Sequence, residues 1–258
     1  MQKSAAVVCL PTYNEAENIG PVIDRLLEAL PSLDVLVVDD GSPDGTGDLV
    51  AERAASDPRL GLIRRSGRQG LGTAYLAGFR QALEGVYVHF LTMDCDLSHA
   101  PERVPALIAA AAGGLDLVIG SRYVAGGAIE GWGPHRRVLS FGANSFARAW
   151  LRIESHDCTS GFRCYSRRAA ELLVNSPVRA SGYSTLVELL VRCQRAGLAV
   201  GEVPITFVDR VHGKSKMSSR EMLEGVRSVV TLGSALAREP RLPASIGEEG
   251  RAGAGAIR

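Results

Sequence analysis

The chain has 258 residues, 46% of them hydrophobic and 22% charged, enough apolar length to bury a large core, which excludes global disorder. A net charge of +1 excludes a whole-chain nucleic-acid binder. That balance conceals a split: residues 1–134 carry 10 basic and 17 acidic side chains (net −7) and residues 135–258 carry 19 and 11 (net +8), as for two surfaces handling two kinds of ligand.

Apolar runs of strand type alternate with helical patterns through the first half. Ala5–Leu10 and Val35–Val38 read as buried strands. Between them Ile19, Val22, Ile23, Leu26, Leu27 and Leu30 recur at helical spacing, and Pro31 stops that helix. Leu60–Arg64 reads as a strand, Thr73–Leu83 as a helix and Val86–Met93 as a strand. A helix over Pro101–Ala112, with Ser98 as its expected cap, precedes a strand over Leu115–Gly120. In the second half Val138–Ile153, Tyr183–Ala196 and Ser218–Ala237 read as helices and Ala199–Val208 as extended. Prolines, glycines and sparse apolar content mark 239–258 as a disordered tail, leaving 1–238 as a single domain. The alternation predicts an α/β fold: a mainly parallel, Rossmann-like sheet flanked by helices, with amphipathic helices toward the C-terminus.

The longest stretch without a charged side chain is the 12 residues from Val104 to Leu115, short of the ~18 that a membrane-spanning helix needs. The N-terminus lacks the apolar run of a signal peptide. Five cysteines, odd in number and without C-x-x-C spacing, fit neither a disulfide framework nor a zinc site, so reduced thiols in a cytoplasmic protein are expected.

Ligands of such sheets bind at the carboxyl ends of the strands, and polar residues gather there. Asp94-Cys95-Asp96 ends one strand; in extended chain its two carboxylates face one side and could hold a hard divalent cation, although an isolated D-x-D also occurs as a solvated acidic turn. Pro11-Thr12-Tyr13-Asn14-Glu15 reads either as a capped strand-to-helix turn or as a binding loop. Asp39 and Asp40 follow four apolar residues, where buried unpaired acids would be costly; Asp44 or Thr46 could cap a following helix. Gly70-Leu71-Gly72 lacks the third glycine of a dinucleotide loop, since Tyr75 stands there, which disfavours a dehydrogenase. Gly131-Trp132-Gly133-Pro134-His135-Arg136-Arg137 with Ser140, and the basic run from Arg210 to Lys216, read as surface loops or phosphate clamps.

Together these motifs resemble the family-2 inverting glycosyltransferases of the GT-A fold, specifically the dolichol-phosphate (polyprenol-phosphate) mannose synthases. The residues that carry the resemblance are PTYNEAENI (11–19), VVDDGSPDGT (37–46), GLGTAY (70–75), MDCDLSH (93–99), GSRY (120–123), FGAN (141–144), TSGFR (159–163), GEVPITFVDR (201–210) and GKSK (213–216). The resemblance implies mannose transfer from GDP-mannose to a polyprenyl phosphate. It implies that Pro11, Tyr13, Glu15, Val38 and Asp40 line the nucleotide pocket, with Cys95 contacting the donor through its backbone. It implies Mg²⁺ or Mn²⁺ on Asp94 and Asp96, and Arg210 and Lys216 on the donor phosphates. Arg122, Arg136 and Ser140 would receive the acceptor phosphate. Cys95 departs from the usual Ala of the metal motif, and Thr185-Leu186 from the usual Phe-Gln of a later helix. A related transferase using glucose or GlcNAc is the alternative. The Q-x-x-R-W of polysaccharide polymerases is absent. Peripheral attachment to the cytoplasmic face of a membrane, directly or through a membrane-protein partner, is expected. The Arg-flanked Val138–Ile153 helix, with Phe146 and Trp150, would lie in the interface plane, unless it is simply a buried amphipathic helix.

Overall fold

The computed structural model describes residues 5–178, 180, 182, 184–209 and 219–238. In chain order the first elements are β1 (Ala6–Thr12), α1 (Ala16–Ala29), β2 (Asp34–Asp39), α2 (Thr46–Ala54), β3 (Leu60–Arg64), α3 (Leu71–Leu83) and β4 (His89–Thr92). There follow α4 (Val104–Ala112), β5 (Leu117–Ser121), β6 (Ala128–Glu130), α5 (Pro134–Leu151), β7 (Arg163–Ser166) and α6 (Arg167–Val174). The last are α7 (Ser184–Arg195), β8 (Val200–Pro204), β9 (Thr206–Val208) and α8 (Ser219–Arg238).

Seven strands form one sheet in the order β3-β2-β1-β4-β7-β5-β8. All neighbours run parallel except those of β7, which lies antiparallel between β4 and β5. The side-chain period of two sorts each strand onto two cores. Ala6, Val8 and Leu10 of β1 join Ile19, Val22, Ile23 and Leu26 of α1 on one face. Val7 and Cys9 join Tyr75 and Phe79 of α3 and Leu186 and Leu190 of α7 on the other. The six parallel strands therefore end along one edge, at Thr12, Asp39, Arg64, Thr92, Ser121 and Pro204.

The α/β sheet matches the sequence reading, with local differences. Helix α2 buries only Thr46, Gly47 and Val50, too few apolar positions to give a helical period. Its start carries Gly45 in the left-handed region as cap residue, while the Asp44 carboxylate accepts from the Thr46 N–H at 3.0 Å. Strand β7 has four residues, and α6 follows it at once. The extended run 199–208 divides: β8 stays in the main sheet, and β9 pairs with β6 in a separate two-stranded sheet. Ser98 does not cap a helix; it bonds Asp96, and a short 3-10 turn over Pro101–Arg103 leads into α4. Helix α5 starts four residues early because Pro134 occupies its first turn, where no N–H is needed. Arg210, Lys216 and the 239–258 tail lie outside the described residues.

Candidate active site

The loops after β1 and β2 are stitched into one wall. The backbone N–H groups of Asn14, Glu15 and Ala16 donate to Ser42 Oγ, Thr46 Oγ1 and Asp44 Oδ2, each at 3.0 Å. Pro11 is half-buried at the end of β1. The Tyr13 ring lies beneath the Arg68 guanidinium at 5.2 Å. Glu15 Oε2 accepts from Asn18 Nδ2 at 2.8 Å. Asp39 is held by the Thr12 hydroxyl at 2.9 Å and the Ser42 N–H at 3.0 Å. Asp40 pairs with Arg65 and accepts from the Gln69 N–H at 3.1 Å. The two adjacent acids are thus both compensated, by different partners. The Val38 side chain is fully buried where α3 passes at Gly78, and the residue lies within the sheet between Pro11 of β1 and Ile63 of β3.

Asp94 and Asp96 follow β4. Asp94 Oδ1 accepts from the Tyr75 hydroxyl at 3.2 Å, and the Asp94 N–H donates to His99 Nδ1 at 3.4 Å. Asp96 Oδ1 accepts from the Ser98 N–H at 3.1 Å. Cys95 between them is buried. Burial, reinforced by the charges of Glu15, Asp96 and Asp94, pushes its thiol well above the usual range. A protonated thiol is a poor metal ligand, so what this loop could offer a metal is two hard carboxylates, donors of the type that suits Mg²⁺ or Mn²⁺. No group of three His, Cys, Asp or Glu able to hold a metal exists among the described residues. Two acids alone would be a partial shell, and Mg²⁺ ordinarily completes such shells with phosphate and water oxygens.

An aromatic bridge leads from these acids to a basic cluster. His99 is buried, and burial lowers its pKa, which keeps the imidazole a neutral acceptor. It stacks on Phe162 at 5.3 Å and meets Phe207 edge-on at 5.4 Å. Phe207 meets Trp132 at 5.3 Å. Arg136 lies over Trp132 at 4.1 Å, and Arg122 approaches the same ring at 5.8 Å. The Ser140 hydroxyl is 2.9 Å from the Tyr123 hydroxyl.

Arg122 is placed differently from an open phosphate receptor. Its Nε and Nη2 donate to the two oxygens of Asp157 at 2.7 and 2.8 Å, and Nη2 also donates to Thr159 Oγ1 at 2.7 Å. The pair is buried, with side-chain exposures of 7% and 0%. Arg136 instead donates from Nη1 to both oxygens of Asp209, at 3.1 and 3.0 Å, in a pair 24% and 34% exposed. Gly131 permits this contact: its φ is +80°, and a Cβ there would lie 2.9 Å from Asp209 Cβ.

Of the residues named from the sequence, Asp94 is linked to Arg136 through His99, Phe207 and Trp132, and Arg122 and Ser140 share Tyr123 as a neighbour. The sequence reading did not single out Tyr75 and His99 as partners of Asp94, or Asp157 as the partner of Arg122. Asp157 stands 35 positions from Arg122, a separation that no periodicity links. The clue available was an unpaired arginine at a strand end, which requires an acid from elsewhere.

Residues 7–173 match the family model for glycosyl transferase family 2. The chain is 45% identical over 228 residues to polyprenol monophosphomannose synthase of Mycolicibacterium smegmatis, covering 88% of this chain and 86% of that one. It is 42% identical over 238 residues to undecaprenyl-phosphate mannosyltransferase of Micrococcus luteus, covering 92% and 97%. Among solved structures it resembles a mannosyltransferase of Pyrobaculum calidifontis in complex with GDP-Man and Mn²⁺, with a TM-score of 0.55 and 19% identity over 95% of this chain and 79% of that one. It also resembles a mycobacterial protein, with a TM-score of 0.66 and 22% identity over 90% and 75%. At these identities the structural likenesses establish the fold, which is GT-A.

Proposed function

The chain belongs to glycosyl transferase family 2, and we propose that it transfers mannose from GDP-mannose to a polyprenyl monophosphate with inversion, releasing GDP. The observation that carries this reading is the adjacency just described: a pair of metal-type carboxylates lies one aromatic bridge away from an arginine and hydroxyl cluster. Such a site suits two phosphorylated partners rather than one. The names of the M. smegmatis and M. luteus relatives support mannose as the sugar and a polyprenyl phosphate as the acceptor.

The chemistry follows from charge. A lipid monophosphate has a second pKa of about 6 and is mostly dianionic at neutral pH. Its oxygen is already a nucleophile and needs no strong general base. The protein must hold it in line with the anomeric carbon despite repulsion between the two phosphates. A bond forms from the acceptor oxygen to that carbon as the bond to the GDP oxygen breaks, and the α-linked sugar becomes β-linked. Asp94 and Asp96 would hold Mg²⁺ or Mn²⁺, which when bound offsets charge on the leaving diphosphate. Pro11, Tyr13, Glu15, Val38, Asp40 and the Cys95 backbone would frame the nucleotide, with Arg210 and Lys216 on its phosphates. Arg136 and Ser140 would meet the acceptor phosphate directly, beside Arg122.

No helix among the described residues is long and apolar enough to cross a membrane. We propose peripheral attachment at the cytoplasmic face through α5. Val138, Leu139 and Phe141 are exposed on it, at 70%, 45% and 58%, beside Arg137. Trp150 is half-exposed and lies against Gly233 of α8, with Phe146, 38% exposed, stacked on it, so exposed apolar positions run along the helix and are fullest at its N-terminal half. Co-sedimentation with anionic vesicles tests this: Val138 and Phe141 changed to Ser should release the protein, and unchanged binding by the folded variant would refute it.

The activity is tested with radiolabelled GDP-mannose, Mg²⁺ and polyprenyl phosphate, which should yield a labelled, mild-acid-labile lipid. Asp96→Ala should abolish transfer. The same assay across GDP- and UDP-sugars separates mannose from a glucose or GlcNAc donor.

A further inference from the structure

Glu202 lies on β8, in a wall of a cavity of about 270 Å³ that also involves Glu154, His156 and Gln194 and none of the substrate residues named above. Its carboxylate is nearly buried, at 10% exposure. Oε2 accepts from the His156 N–H at 2.7 Å and lies 2.9 Å from His156 Nδ1, while Oε1 accepts from the Asp157 N–H at 3.0 Å. One carboxylate thus takes two consecutive backbone donors. Asp157, fixed by that grip, accepts from Arg122 at Nε, Nη2 and the backbone N–H, and from the Ser160 N–H at 3.1 Å.

We propose that Glu202 is a positioning residue for the acceptor half of the site, acting through Asp157 on Arg122. This rests on the acceptor reading of the Arg122, Arg136 and Ser140 cluster. Both oxygens of Glu202 face N–H donors, so the site requires two acceptors at one side-chain end. A glutamine there has one acceptor and one NH₂, and whichever way it turns, an N–H meets an N–H. The 156–157 turn must then shift, and Asp157 with it. A buried arginine gripped by two bonds to one carboxylate follows its partner rather than release it, because parting leaves an uncompensated charge. The donor wall, built from the β1 and β2 loops, shares none of these bonds.

The test is Glu202→Gln in the full-length enzyme. The expected result is an acceptor KM raised roughly tenfold, as for a lost charge-assisted hydrogen bond, with the KM and Kd for GDP-mannose unchanged within about twofold. The Nε–H resonance of Arg122 in isotope-labelled protein should shift without any substrate present. That readout separates failure of the relay from failure of the assigned reaction, since it needs no transfer. Donor and acceptor constants that move together, or an unmoved Arg122 resonance, would overturn the proposal. Should Glu202→Gln not fold, Glu202→Asp keeps the charge but shortens the reach, and the same split between acceptor and donor constants is required of it.

Discussion

The Tyr75 hydroxyl donates to Asp94 Oδ1 across 3.2 Å, from helix α3 to the loop after β4. Tyr75 is fully enclosed. Burial and the Asp94 charge push its phenol well above the usual range, so it remains a donor throughout the working pH. Tyr75→Phe keeps the packing and removes that one bond. Stability should change by no more than about 1.5 kcal/mol, while the metal concentration needed for half-maximal activity should rise several-fold. Metal titration of initial rates beside a thermal melt checks both, and an unaltered metal requirement would mean that Asp94 needs no such support.

Helix α3 also meets α7 more closely than a side chain permits. A Cβ on Gly72 would lie 2.1 Å from Thr185 Cγ2. Gly72→Ala should therefore destabilise the fold by about 1–3 kcal/mol through overpacking. Thr185→Ser deletes the clashing methyl and keeps the hydroxyl that donates to the Ala180 carbonyl at 2.9 Å. Added to Gly72→Ala, it should restore about half of the loss in urea unfolding. Additive single effects would show that the two sites do not touch.

The same pair explains what the sequence could and could not convey. The alternation of Val7 and Cys9 with Ala6, Val8 and Leu10 carries the two-faced sheet in its own spacing, and the α1 stripe carries the layer against it. Asp94 and Asp96 were legible because strand geometry alone puts i and i+2 on one side. Gly72 against Thr185, and Arg122 against Asp157, are contacts between elements far apart in the chain, and nothing local encodes them. The extent of helix α2 and strand β7 is hidden for a different reason: each is short and buries too few apolar residues to carry a period.

Arg136 offers a contact that can exchange. Its partner Asp209 is a third exposed, and pairs at that exposure are worth only about 0–1 kcal/mol. A phosphate that takes the Nη1 donors of Arg136 displaces that carboxylate. Asp209→Asn removes the competitor and should lower the acceptor KM by up to about fivefold, with no change for GDP-mannose. A raised acceptor KM would mean that Asp209 holds Arg136 in place instead of holding it in reserve.

Asp157 should behave in the opposite way. Burial pushes its carboxyl upward, but the Arg122 charge and the hydrogen bonds outweigh this and hold it below the ordinary carboxylate range. A depressed native pKa means that the unfolded state binds the proton first as pH falls. The contribution is therefore fully present above the unfolded value of about 3.9, and it is lost as pH drops through the native value. Asp157→Asn leaves the Arg122 charge buried and unpaired, and should cost about 3–5 kcal/mol at neutral pH. The deficit relative to the unaltered protein should stay constant down to about pH 5 and shrink below pH 4, where Asp157 of the unfolded chain takes up its proton while the native carboxylate still holds its charge. Urea unfolding of both proteins across that range measures it. A deficit that persists undiminished at the lowest pH where both fold would mean that the loss comes from packing or hydrogen bonding rather than from the Arg122 charge.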